Sequence, residues 1–155
     1  MNSNQELIAG FYQAFQNKDY KTMQDCYAED ATFNDEVFLN LTADEVRAMW
    51  EMLIKKGKDL QLVFSNIRAD EQNGSADWIA TYSFSKTNSK VTNHIHANFT
   101  FKEGKIFTHT DTFGFYKWAS QAFGTIGVLL GWTPFFKNKV RKEAMNNLAK
   151  FIRRN

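Results

Sequence analysis

The sequence predicts an α+β domain in which a curved antiparallel sheet wraps around N-terminal helices as a cone-shaped barrel, followed by a C-terminal helical extension. Three observations lead there. Apolar residues recur at helical spacing up to Ile54, strand-like alternation takes over from Leu60 to Phe115, and helical spacing returns beyond Tyr116. Separate helical and extended runs place helices on one face of a meandering sheet and leave a hollow between the layers.

Each element has its own signal. Ser3 and Glu6 have capping-box spacing, and Leu7, Ile8, Phe11, Tyr12 and Phe15 repeat behind them as a first helix that ends at Asn17-Lys18. A short helix starts at Asp19, with Met23 and Cys26 on its apolar side, and Ala31 to Asn34 reads as a short strand. Thr42 with Glu45 caps a third helix carrying Val46, Met49, Trp50, Leu53 and Ile54, and Gly57 stops it. Leu60 to Ala69 is a strand, Asn73-Gly74 a tight turn, and Trp78, Ala80, Tyr82 and Phe84 one face of the return strand. Thr87-Asn88-Ser89 turns the chain into Val91 to Phe101, and Glu103-Gly104 turns it into Lys105 to Phe115. Helix follows over Tyr116 to Phe123 and Asn138 to Arg154, around a glycine-broken apolar stretch from Phe123 to Phe136. With no repeat and no linker, the expectation is one domain over 1–155, with a core fold over 5–116 and an extension over 117–155.

Composition narrows the function. A length of 155 residues with 43% hydrophobic content supports one core. Nineteen basic against seventeen acidic residues give a net charge of +2, too balanced for a nucleic-acid partner. The charge is unevenly spread: residues 137–155 carry seven bases and one acid, either a solvated helix face or a surface for an acidic partner or membrane. Cys26 is the only cysteine, so no disulfide forms within the chain, and a buried inert thiol is expected. The first residues lack a basic-then-apolar leader, which points to a cytoplasmic protein. The stretch from Phe123 to Phe136 is too short and broken to span a bilayer, yet too apolar to lie bare. An interface or a cover over the helices is expected there.

Candidate chemistry depends on strand parity, because a slip of one residue turns every side chain over. A glycine-bulge turn at Glu103-Gly104 pairs Phe101 with Lys105. Phe107, His109, Asp111 and Phe113 then share a face with Asn93, Ile95, Ala97 and Phe99, while His94, His96 and Asn98 share the other with Thr108, Thr110 and Thr112. The first, mostly apolar face is assigned to the pocket. A two-residue turn would instead bring His96 opposite Asp111. On the pocket face His109 and Asp111 form an acid/base pair, since desolvation raises a carboxyl's pKa and an imidazole beside it can share the proton. The structural alternative is that the two simply hydrogen-bond each other or the backbone. Tyr12, Tyr27, Trp50, Trp78, Tyr82, Phe99 and Phe113 are the aromatic ligand-binding candidates, or plain core. His94-x-His96 has metal-ligand spacing but no third ligand on its face, so no metal is expected.

Several strings carry a resemblance: Ala28-Glu29-Asp30-Ala31-Thr32-Phe33 as an early strand, Phe101-Lys102-Glu103-Gly104-Lys105-Ile106 as the last hairpin, and His109-Thr110-Asp111-Thr112-Phe113 continuing it. In this order they resemble the nuclear transport factor 2-like superfamily, in its SnoaL-like and ketosteroid isomerase-like branch, over about residues 5–116. The resemblance implies a cofactor-free isomerase, cyclase or dehydratase moving protons on a small apolar carbonyl compound, and a homodimer formed through the sheet. The alternative is a non-catalytic ligand-binding or protein-interaction module of the same fold. Asp35 falls on the ketosteroid isomerases' general-base position and is the third catalytic candidate. Their oxyanion-hole Tyr falls on Phe11, with Tyr12 one place off, and their protonated Asp on Ala97 or Asn98. With one role of three matched, the ketosteroid isomerase reaction itself is not implied.

Overall fold

The computed structural model describes residues 1–155, and its elements follow the predicted order. Three helices, α1 (Ser3–Gln16), α2 (Tyr20–Asp25) and α3 (Ala43–Lys56), enclose the early strands β1 (Tyr27–Asn34) and β2 (Leu41–Thr42) in sequence. The long strands β3 (Gln61–Ala69), β4 (Asn73–Ser83), β5 (Lys90–Lys102) and β6 (Lys105–Thr112) follow, then helices α4 (Phe115–Phe123), α5 (Thr125–Leu130) and α6 (Pro134–Arg154). One open sheet runs in the order β2-β1-β6-β5-β4-β3. It is antiparallel except that β1 lies parallel to β6, with Phe33 beside His109 and Asn34 beside Thr110. That pairing makes the sheet mixed rather than wholly antiparallel, and it lengthens the early strand back to Tyr27.

Helix α1 lays Ile8, Phe11, Tyr12 and Phe15 against the sheet with almost no exposure. Its capping box is Asn2 with Gln5, one residue earlier than Ser3 with Glu6. Both pairs have the spacing; a tertiary contact selects the first, because the Asn2 amide also donates to the Ala69 carbonyl at 2.8 Å. Helix α3 uses the expected box, Thr42 with Glu45, and ends at Gly57. Such a cap contributes about 1 kcal/mol.

The turn expected at Asn73-Gly74 lies earlier. The Asp70 carboxylate accepts the Gln72 and Asn73 amides, both at 2.8 Å, and Asn73 already begins β4. Gly74 serves packing instead: a Cβ there would stand 2.7 Å from the Phe101 ring and 2.9 Å from Ile8 Cδ1.

The β5–β6 hairpin corrects a second expectation. Lys102 pairs with Lys105 across a two-residue turn, with φ of 52° at Glu103 and 77° at Gly104, the conformation of a type I′ hairpin. Phe101 therefore faces Ile106, not Lys105. A bulge follows: Thr100 faces Thr108, so Phe107 is the unpaired extra residue. The bulge restores the parity that the shorter turn would have inverted. Phe99 pairs with His109 and Ala97 with Asp111, all four buried, while Phe107 leaves the pocket face and lies under the Lys102 ammonium, 5.2 Å from its ring centroid. His94, His96 and Asn98 look outward, and His96 pairs with Asp77 at 2.6 Å.

Beyond the sheet, α4 packs on β5 and α6 packs on α3, so the C-terminal segment closes over the hollow between sheet and helices. The expectation that 123–136 covers the helices is only partly met. Phe123 and Phe136 pack inward, but α5, the turn after it and the start of α6 lie bare: Leu129, Trp132 and Phe135 are 64%, 71% and 76% exposed. No helix is long and apolar enough to cross a membrane.

Candidate functional site

A cavity of about 380 Å³ lies between the sheet, α3 and the C-terminal helices. Most of its wall is aromatic or aliphatic. Phe15 enters from α1, Met49 and Trp50 from α3, Trp78, Ala80 and Tyr82 from β4, Ile95 from β5, and Trp118 and Phe123 from α4. Set into the cavity's inner wall are the carboxylates of Asp35 and Asp111 and the amide of Asn93, while the exposed side chains of Glu143, Asn147, Lys56 and Lys86 line its outer part.

Asp111 lies on β6, where strand parity turns it to the cavity side, and only 4% of its side chain is exposed. Its Oδ1 lies 2.9 Å from His109 Nε2, and its other oxygen makes no hydrogen bond within the protein. Behind it runs a chain whose direction follows from donor inventory. Trp50 Nε1–H can only donate, and it donates to the Tyr27 hydroxyl at 2.9 Å. The Tyr27 proton has one acceptor in reach, His109 Nδ1 at 2.8 Å. His109 must then carry its proton on Nε2 and donate it to Asp111. Burial of this chain pushes the Tyr27 phenol well above its ordinary pKa, which keeps it a donor.

His109 is thus not at the cavity surface. Its side chain has no exposure, is boxed in by the rings of Phe11, Phe33, Trp50 and Phe99, and reaches the cavity only through Asp111. The pair expected to share one hollow is arranged in depth, with the carboxyl in front and the imidazole behind.

Asp35 follows β1 in a tight loop held by its own backbone. Its N–H donates to the Phe38 carbonyl at 2.8 Å, and its Oδ1 accepts the Val37 and Phe38 amides at 2.7 and 2.6 Å. Those two donors favour the carboxylate, but burial outweighs them and the nearby Asp111 charge adds to it, so the Asp35 pKa is pushed up to about 7. Protein surrounds this carboxyl; the partial exposure it retains is toward the cavity. The C-terminal extension pins the loop: α6 donates from Lys137 to the Glu36 carboxylate at 3.2 Å and from Arg141 to the Glu36 carbonyl at 3.0 Å.

Of the aromatic candidates, Trp50, Trp78, Tyr82 and Phe113 line the cavity. Tyr12, Tyr27 and Phe99 do not; they form the layer behind it, with Tyr12 stacked on Phe64 and tilted against Trp78. Asn93, which strand parity placed on the pocket face without a role, lines the cavity as well. Sequence reasoning missed Trp118, whose indole donates to the Tyr82 hydroxyl at 2.8 Å and joins the tail to the cavity wall. Nothing local to Trp118 signals that contact, which depends on where α4 docks. No three His, Cys, Asp or Glu side chains come together as a metal site. Burial pushes the Cys26 thiol up to about 11, as suits a structural cysteine.

An open sheet curled over helices, with a carboxyl-bearing cavity between, defines the nuclear transport factor 2-like fold. Within it, the chain belongs to the SnoaL-like domain family, whose model matches residues 8–109. Solved structures agree on the fold. An NTF2-like protein of unknown function from Burkholderia pseudomallei superposes with a TM-score of 0.69 at 15% identity, covering 79% of this chain and 98% of its own. An LEH-like epoxide hydrolase of M. tuberculosis gives 0.64 at 14% identity, covering 83% and 95%. IdmH of Streptomyces antibioticus, a candidate polyketide cyclase, gives 0.61 at 16% identity, covering 75% and 95%. At these identities the likeness concerns the fold alone. No functionally curated protein matches the chain by sequence.

Proposed function

We propose that the chain is a cofactor-independent enzyme that moves a proton on a small, apolar, carbonyl-bearing molecule, by isomerisation, cyclisation or dehydration. The observation that carries this reading is two carboxylates, Asp35 and Asp111, opening on one aromatic cavity, with the first brought close to neutral pH. A carboxyl with a pKa near 7 takes up and releases a proton with little cost at either step. The aromatic wall excludes water and holds an apolar skeleton, and Asn93 offers an amide donor to a substrate oxygen.

The roles divide as follows. Asp35 is the general base and returns the proton as an acid. Asp111 presents its free oxygen to the substrate as the second proton-transfer group. His109 is a positioning residue: held by Tyr27 and Trp50, it fixes the Asp111 carboxylate and its charge.

The test is deuterium exchange at the α-carbon of a panel of cyclic ketones and steroids, followed by mass spectrometry. Asp35→Asn and Asp111→Asn should each slow exchange by about 100-fold or more, the usual contribution of general acid–base catalysis. Ketone binding with no exchange above the buffer rate, or equal rates in all three proteins, would leave a binding module instead.

A further inference from the structure

Helix α5 inverts the usual pattern of a surface helix. It turns its small residues inward: a Cβ at Gly127 would run into the Ala119 carbonyl of α4, and one at Gly131 would stand 3.1 Å from Ala119 Cβ. It turns its large residues outward. Ile126, Val128, Leu129 and Leu130 are 46% to 64% exposed, and Trp132 in the following turn and Phe135 at the start of α6 are more exposed still. From Trp118 to Phe136 the chain has no charged residue, whereas lysines stand at both borders, Lys117 and Lys137. Beyond the border, Phe135, Lys139 and Lys142 fall at helical spacing on one exposed face of α6. Lys117, Lys139 and Lys142 form no ion pair, unlike Lys137, which is bound to Glu36.

We infer that this face docks on an anionic lipid bilayer, with the α5 tip set at the boundary between headgroups and acyl chains and the free lysines against the headgroups. The chemistry matches on each side of the boundary. A tip of Ile, Val, Leu, Trp and Phe gains by leaving water, and an indole favours the interfacial zone. Unpaired lysines around the tip complement negative headgroups, each adding attraction that salt screens. A second copy of the chain fits less well, since pairing tip to tip would bring the same unpaired lysines together. Helix α4 ties the face to the cavity: its Ala119 carries α5, while its Trp118 and Phe123 line the cavity wall.

The experiment is sedimentation of the full chain with vesicles, either phosphatidylcholine alone or phosphatidylcholine mixed with phosphatidylglycerol, at low and high salt. Binding should be at least about tenfold stronger to the mixed vesicles at low salt, weaken with salt, and bring quenching of Trp132 fluorescence by brominated lipid. The double variant Trp132→Ser, Phe135→Ser should abolish it. These residues are exposed, so circular dichroism should show an unchanged fold. Lys139→Glu with Lys142→Glu should remove the preference for anionic lipid. Absence of binding to either vesicle would overturn the inference. So would binding that survives the Trp132/Phe135 change, or a wild-type dimer in sedimentation equilibrium that this change dissociates without any vesicle binding.

Discussion

Asp35 shows at the scale of one side chain how a site can oppose the fold that carries it. Its folded pKa of about 7 lies above the 3.8 of an exposed carboxyl, so the folded chain holds this proton more tightly than the unfolded chain. Raising the pH from about 4 to 7 therefore ionises the unfolded chain first and drains stability; acidifying through the same window restores it. Asp35→Asn keeps an oxygen for the Val37 and Phe38 amides and removes the charge. At pH 8 the variant should be more stable by at most about 4 kcal/mol, from roughly three pKa units at ~1.36 kcal/mol each, less whatever cavity water returns to the carboxylate. The advantage should shrink as the pH falls from 7 to 4. Urea melts at pH 8 and pH 4 check this, and a variant less stable than wild type at pH 8 would contradict it. The reading of Asp111 as a pocket residue was available from strand alternation alone. That its partner imidazole stands behind it was not, because depth within a core depends on which rings arrive from α1, α3 and β1.

Among the elements, strands and helices were legible where local chemistry decides, and turns were not where tertiary contacts compete. Thr42 with Glu45 is a cap that nothing else contests, and it is used. Asn2 displaces Ser3 because it reaches Ala69. The β5–β6 hairpin carried two compensating departures: a shorter turn than expected and a bulge at Phe107 that cancels it. A glycine in a strand context carries no mark of its reason, and Gly74 reads as a turn from sequence because its packing partners, Phe101 and Ile8, are distant in the chain. Gly74→Ala should therefore cost about 1–3 kcal/mol through overpacking, seen as a lower thermal midpoint, whereas relief of backbone freedom alone would raise it.

For the whole molecule, the C-terminal extension is part of the site rather than an appendage. It supplies Trp118 and Phe123 to the cavity wall, anchors Tyr82 through an indole hydrogen bond, and clamps the Asp35 loop through Lys137 and Arg141 at Glu36. Sequence shows such a segment as helical and apolar, but its docking emerges only when the layers are assembled. The cavity it closes is apolar enough to perturb a carboxyl and polar enough to use one. Carbon-13 NMR titration of the Asp35 carboxyl measures that property directly. The expected result is an apparent pKa near 7 that falls when Asp111 is replaced by Asn, because the neighbouring charge contributes to the shift. A value near that of an exposed carboxyl, indifferent to the residue at 111, would contradict a shared cavity of two interacting acids.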